Sequence, residues 1–279
     1  MRVRRAIRMV PSMIENGQSV RIELGGIVAT WFRMPATTTD PHGSTTAADT
    51  MGVSFTGHRG AVVERPSGRR DALDIEPNAL FITCDEPLDW VHVAEPYEGV
   101  EFELSPEIVQ RTAEKHGVPV ASKPPSAMMA PDPVFWSMAV RMRLHALGVA
   151  PVGDLEGEEL AQSLLSHFAC EHLGGTPERQ NGRPLDGRRL ARVTDHVQDN
   201  MSERLSVSDL AGVASMSTNH FHAAFRQATG LTPHQFVTAR RVERALELIG
   251  AGRTREEAAR AVGYTAGHAF RRALARFAG

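Results

Sequence analysis

Cysteine is scarce. Two residues, Cys84 and Cys170, stand among 279, too few for a disulfide framework or a cysteine-rich zinc module. A reduced, cytoplasmic setting is the expectation. No apolar run approaches the roughly 20 residues that a membrane span needs. The basic start, MRVRRAIRMVPSMIENG, lacks the apolar stretch and cleavage site of a signal peptide. A Gly-Lys-Ser phosphate loop and a Gly-x-Ser-x-Gly elbow are also missing. The first hundred residues hold no His-x-His followed by Glu, and His42, His58 and His92 sit in separate segments. His220 and His222 are two apart and face away from each other on a helix. No enzyme, metal or cofactor is therefore expected. Lysine is nearly absent too, with Lys115 and Lys123 beside 29 arginines. A GC-rich genome that favours arginine everywhere would give that ratio.

The length suits two domains better than one core. The net charge of −2 is also unevenly placed. Residues 183–279 hold 15 Arg, no Lys and 9 acids, a balance of +6, and residues 1–182 carry −8. A basic C-terminal third suggests a polyanion-binding module joined to something else.

The first 104 residues read as β. Short apolar or alternating runs recur at Val20–Leu24, Ile27–Phe32, Met51–Phe55, Ala61–Val63, Ala79–Ile82, Trp90–Val93 and Val100–Leu104. Turn-rich pieces such as Leu24-Gly25-Gly26 and Glu64-Arg65-Pro66-Ser67-Gly68 separate them. This spacing predicts a barrel or jelly roll. The stretch 35–50 reads as a long polar loop. Ser105-Pro106-Glu107 then opens a helix with a cap, a first-turn proline and an acid. Residues 119–133 read as a proline-rich linker. Helices are expected at about 134–147 and 156–173. Leu160, Leu164, Leu165 and Phe168 give the second an apolar stripe at helical spacing, which is either core or a dimer seam. GGTPERQNGRPLDG, at 174–187, is the clearest linker. The domains expected are therefore 1–173 and 188–279.

From Arg188 onward the chain reads as short helices. Ser206–Ala214 forms a capped helix, Ser215-Met216-Ser217 a turn, and a second helix runs through Phe221 and Phe225. That is the layout of a helix-turn-helix. The pattern recurs: 258–265 resembles 210–217 at an offset of 48, and Phe270 and Leu274 match Phe221 and Phe225 at 49. Between the two units, Thr232 and Pro233 open a helix of roughly 17 residues, about 26 Å long at 1.5 Å per residue. Successive major-groove faces on one side of B-DNA lie about 34 Å apart. A strut of this length can hold two recognition helices in adjacent groove segments.

The stretches Leu205–Ala211, Met216–Phe221, Phe225–Pro233, Arg240–Leu246 and Ala261–Tyr264 resemble the DNA-binding domain of the AraC/XylS family of bacterial transcription regulators. Residues 1–173 are similar in architecture to the cupin-like effector domain that many of these regulators carry. The fold class expected is α+β: a cupin-like jelly roll with following helices, then an all-α double helix-turn-helix. The resemblance implies a transcription regulator, commonly an activator, with double-stranded DNA, RNA polymerase and a small-molecule effector as partners. It also favours a homodimer through Leu160, Leu164 and Phe168.

With Phe221 and Phe225 buried, Asn219, His222 and Arg226 point elsewhere. Asn pairs with adenine N6 and N7, and Arg with guanine O6 and N7. The family's base-reading positions fall on Asn219, His222 and Ala223, and on Gly267, His268, Arg271 and Arg272. Ser217, Thr218, Arg240 and Arg241 are placed for phosphates, although Arg240 is equally placed to pair with Glu243. Trp31, Phe55, Trp90 and His92 are candidates to line an effector pocket inside the barrel, with plain core packing as the alternative.

Overall fold

The structure is a computed structural model that describes residues 9–12, 17–36, 44–46, 50–83, 87–119, 127–129, 131–176, 185–264 and 268–277. The chain divides into two compact units, 1–146 with 151–179, and 147–150 with 180–279.

The first unit is built from β1 (Met9–Ser12), β2 (Gln18–Leu24), β3 (Ile27–Met34), β4 (Ser44–Thr46), β5 (Thr50–Ser54), β6 (His58–Glu64), β7 (Arg70–Ile75), β8 (Leu80–Thr83), β9 (Leu88–His92), β10 (Tyr97–Leu104) and β11 (Ala127–Met129). One sheet has the order β1-β2-β3-β10-β5-β8-β11 and the other β4-β9-β6-β7. The antiparallel pairs β3·β10, β4·β9, β5·β8 and β6·β7 are those of one long hairpin wound upon itself. This is the jelly-roll topology of cupin-like domains.

Each strand read from the sequence is present, with bounds shifted by a few residues. Four more were not expected, among them β1 at Met9–Ser12. β7 is an edge strand with no buried residue, so it lacks an apolar signature. β4 lies within the expected polar loop, of which 37–43 and 47–49 fall outside the described residues. β11 lies within the expected proline-rich linker and pairs with β8. The β2–β3 turn uses Gly25 and Gly26 at φ +48° and +95°, the two left-handed positions of a tight hairpin. A Cβ on Gly25 would stand 2.9 Å from that of Ala161, so the turn also lets the hairpin press against a helix.

That helix is α3 (Asp154–His167), the third after α1 (Pro106–Lys115) and α2 (Pro133–Ala146). Ser105 caps α1 as expected, its hydroxyl accepting from the Ile108 amide. α2 is buried from Val134 to His145, so its polar side chains need partners. Arg141 pairs with Glu156 at 2.9 Å, Arg143 with Glu98 at 2.7 Å, and His145 Nδ1 accepts from the Val152 amide at 2.8 Å. A π turn, Phe168–His172, continues α3.

The apolar stripe on α3 corrects an expectation. Leu160, Leu164 and Phe168 are 5%, 1% and 5% exposed. They pack into the core of their own unit, where α3 meets α2 and β2, and leave no surface for a dimer seam. Periodicity marks the buried face of a helix but not what covers it.

The second unit is helical: α4 (Gly187–Asp199), α5 (Val207–Val213), α6 (Thr218–Thr229), α7 (Pro233–Gly250), α8 (Arg255–Ala261) and α9 (His268–Phe277). Leu190, Val193 and Val197 bury one face of α4.

Candidate nucleic-acid interface

The local sequence fixes each helix end. Ser206 and Asp209 form a reciprocal capping box on α5, as do Thr232 and Gln235 on α7, and Thr254 and Glu257 on α8. These hydrogen bonds hold the Asp209 and Glu257 carboxyls below the usual carboxylate range. α6 differs. Its N-cap, Ser217, makes no side-chain cap hydrogen bond, and Ser217 and Thr218 are exposed.

The turn between α5 and α6 places Ser215 in the left-handed region at φ 54°. Its counterpart after α8, 48 residues on, is Gly263 at φ 78°. The second turn uses glycine where a Cβ would stand 2.7 Å from the Ser202 carbonyl oxygen and 2.8 Å from that of Met201. The backbone between α4 and α5 thus lies directly against the turn of the second helix-turn-helix.

Aromatic packing sets which face each recognition helix hides. Phe221 and Phe225 are fully buried, their rings 5.2 Å apart, and Phe236 of α7 meets Phe225 edge-on at 5.2 Å. In the second motif Ala245, Ala258, Ala259, Val262 and Phe270 form the core, with Leu274 and Tyr264 against it.

With those faces hidden, Asn219, His222, Ala223 and Arg226 are exposed along one side of α6. They follow the i, i+3, i+4, i+7 spacing of a single helix face. His268, Arg271, Arg272 and Ala275 are exposed on α9 with the same spacing, each 49 residues beyond its counterpart. Gly267 lies outside the described residues. Two helix-turn-helix motifs therefore present the same registered face, and α7 joins them. At 18 residues α7 is about 27 Å long.

Arg240 and Arg241 are engaged within this domain. Arg240 pairs with Glu243 at 3.4 Å, its side chain only 15% exposed. Arg241 donates to the Glu203 carbonyl and lies over the Tyr264 ring at 5.8 Å, and burial lowers its pKa. Arg240 is paired within α7, and Arg241 ties α7 to the segment between α4 and α5, so both are engaged by their own domain.

Two of the effector candidates, Trp31 and Phe55, sit against α2. Trp31 is buried, and its Nε1 donates to Glu98 Oε1 at 2.8 Å. Arg143 of α2 meets the same carboxylate and lies over the Phe55 ring at 5.0 Å. Trp31 and Phe55 therefore belong to the sheet face that α2 covers, a correction to the expected pocket lining. Strand alternation carries this choice, and a sequence does not say which face a helix will cover. His92 is half-buried on β9, and the side chain of Trp90 lies outside the described residues. On the opposite face of β10 from Glu98, Glu101 accepts from Thr46 Oγ1 of the other sheet at 3.3 Å. Burial pushes the Glu101 pKa up to about 7.

One cluster had no counterpart in the sequence reading. Asp132, His167 and His172 bring three potential ligand atoms within 4.8 Å of one another. Asp132 is 35 residues from His167 in the chain, and an α-helical reading of 167–172 sends the two histidines apart.

Comparison with known proteins agrees with the helical unit. Residues 210–279 match the family model described as a helix-turn-helix domain. The probable transcriptional regulator LumQ of Photobacterium leiognathi is 32% identical over 57 residues, 20% of this chain and 23% of that protein. The match thus spans less than a quarter of that relative's length. Among solved structures, ToxT from Vibrio cholerae O395 aligns over 90% of this chain and 92% of its own, at 9% identity and a TM-score of 0.31. Oxalate decarboxylase of Bacillus subtilis aligns over 37% of this chain and 30% of its own, at 11% identity and a TM-score of 0.25. The registered faces of α6 and α9, the paired turns and the family match identify residues 210–279 as a helix-turn-helix domain.

Proposed function

We propose that this chain is a transcription regulator that reads double-stranded DNA with α6 and α9. Residues 188–279 form its DNA-binding domain, 174–187 a connector, and 1–173 a jelly-roll domain that answers a small-molecule effector. The observation that carries this reading is the duplicated exposed face. Asn219, His222, Ala223 and Arg226 on α6 recur in register as His268, Arg271, Arg272 and Ala275 on α9. Burial of Phe221, Phe225 and Phe270 leaves that face open on both helices, and it carries the side chains of Asn219, Arg226, Arg271 and Arg272, which suit base edges.

The chemistry differs between the two faces. Arg271 and Arg272 offer guanidinium forks suited to guanine O6 and N7, and Asn219 offers an amide suited to adenine. Ser217, Thr218 and the N-terminus of α6 suit a phosphate. α7, with 18 residues and a length of about 27 Å, is a strut suited to setting two recognition helices in adjacent groove segments of the duplex. Effector binding shifts the population between arrangements of the two domains, and with it the occupancy of the operator or the contact with RNA polymerase. The DNA-bound state activates transcription.

Footprinting of the purified chain on the DNA upstream of its own gene tests the reading. The expected result is protection of two patches one helical turn apart that weakens steeply with salt. A thermal-shift screen against metabolites tests the effector. No protection at any salt concentration would refute DNA reading, and no ligand-dependent shift would leave the jelly roll without a sensing role.

A further inference from the structure

Asp132 stands just before α2 and uses its two carboxylate oxygens for separate tasks. Oδ1 accepts from the amides of Val134 and Phe135 at 2.8 and 3.1 Å, which completes the N-terminal cap of the helix. Oδ2 takes no part in that cap. It faces His167 Nε2 at 2.8 Å and His172 Nε2 at 3.3 Å. All three side chains are mostly enclosed, at 13%, 12% and 8% exposure. A cap needs neither imidazole.

The local backbone is shaped to bring the two rings together. In an α-helix, residues five apart point about 140° away from each other. Here α3 gives way after His167 to the π turn Phe168–His172. Its wider i to i+5 ladder returns His172 to the side of His167. π turns of this kind recur at functional sites. An aromatic wall then fixes the rings. Phe135 meets His167 and His172 edge-on at 5.9 and 5.7 Å, and Phe168 tilts against His172 at 6.0 Å. Both imidazoles thus turn the same atom, Nε2, toward one carboxylate oxygen.

We propose that Asp132, His167 and His172 form a binding site for a divalent first-row transition metal, zinc above all. Two imidazole nitrogens and one carboxylate oxygen are a donor set of that class. A zinc ion bonds such ligands at about 2.0–2.1 Å, which in tetrahedral geometry sets them roughly 3.3 Å apart. Oδ2 lies 2.8 and 3.3 Å from the two nitrogens, and all three atoms lie within 4.8 Å of one another, so an ion that replaces the two hydrogen bonds asks for side-chain adjustment and no rebuilding of the backbone. Three protein ligands leave one position for water or an exogenous ligand. The ion would tie the start of α2 to the end of the α3–π segment, a few residues before the 174–187 connector.

The test uses the full chain, stripped with chelator and dialysed against ZnCl2 or CoCl2. The expected result is one equivalent retained per chain by elemental analysis, a rise in melting temperature with added zinc, and visible d–d absorption from the cobalt form. His167→Gln and His172→Gln keep an amide donor for Asp132. Each should cut zinc affinity at least 10-fold and abolish the cobalt spectrum, with unchanged far-ultraviolet circular dichroism in the metal-free state. Cys170→Ser should keep full binding, because Cys170 Sγ lies near His116 instead, at 3.6 Å. Should either glutamine variant not fold, the cobalt spectrum of the unsubstituted chain still decides. Absence of a bound equivalent in that chain would overturn the proposal, as would retention of zinc by folded glutamine variants.

Discussion

Gly263→Ala should unfold the second helix-turn-helix before anything else in its unit. Two costs add. At φ 78° an alanine adopts a left-handed conformation that costs about 1–2 kcal/mol. Its Cβ would also stand 2.7 and 2.8 Å from two backbone carbonyl oxygens, those of Ser202 and Met201. Backbone does not swing aside as a flexible side chain does, and forced overpacking costs about 1–3 kcal/mol. A loss of about 2–5 kcal/mol follows from these two ranges. The twin position gives an internal control. Ser215 already bears a left-handed φ of 54°, so Ser215→Gly relieves strain and should gain up to about 1 kcal/mol. Hydrogen exchange of α8 and α9 peptides across a urea series reads the stability of this unit apart from the jelly roll. If Gly263→Ala lowers protection there by less than about 1 kcal/mol, the turn is not left-handed and the close approach of Met201 and Ser202 is wrong.

Other outcomes follow from the first unit. Leu164→Glu should unfold the jelly roll, losing more than about 3 kcal/mol, and should not leave a folded monomer; an unchanged urea midpoint in tryptophan fluorescence would show that the helix is not core. Glu98→Gln leaves the buried Arg143 without its carboxylate, which should cost about 3–5 kcal/mol in the same urea assay, against almost nothing if the pair were solvated. Glu101 has a folded pKa raised to about 7 from 4.5, so the folded state holds its proton more tightly than the unfolded chain. Stability of the jelly roll should therefore fall as pH rises from about 4.5 to 7, by at most about 3 kcal/mol. Glu101→Gln should flatten that slope, and an unaltered profile would refute the assignment.

What the sequence disclosed was local. Ser105 with Pro106, and Thr232 with Pro233, announce helix starts because a cap and a first-turn proline act within one turn. The two helix-turn-helix motifs were visible because the chain repeats itself. The exposed face of α6 followed once Phe221 and Phe225 were taken as buried. What stayed hidden depends on distant partners. The stripe of Leu160, Leu164 and Phe168 is the same whether a second chain or α2 and β2 cover it. Trp31 points to a face that only the placement of Arg143 identifies. β7 buries nothing and so carries no apolar rhythm. The π turn inverts the usual helical spacing of His167 and His172, and Asp132 reaches them only through the fold. The i, i+3 spacing already offered Arg240 the pairing with Glu243 that the structure has, whereas Arg241 reads as a cation for DNA until Glu203 and Tyr264 are seen beside it.

The central claim is that α6 and α9 read base edges with matching faces. A binding-site selection with the full chain and its single variants tests it most directly. Arg271→Ala or Arg272→Ala should flatten preference at one or two adjacent base pairs, with about 1–3 kcal/mol of discrimination lost there. Asn219→Ala should do the same one helical turn away. Arg241→Ala should lower stability and leave the selected sequence as it was. If both arginine variants and Asn219→Ala select the same sequence as the unsubstituted chain, the duplicated face does not read DNA and the account fails.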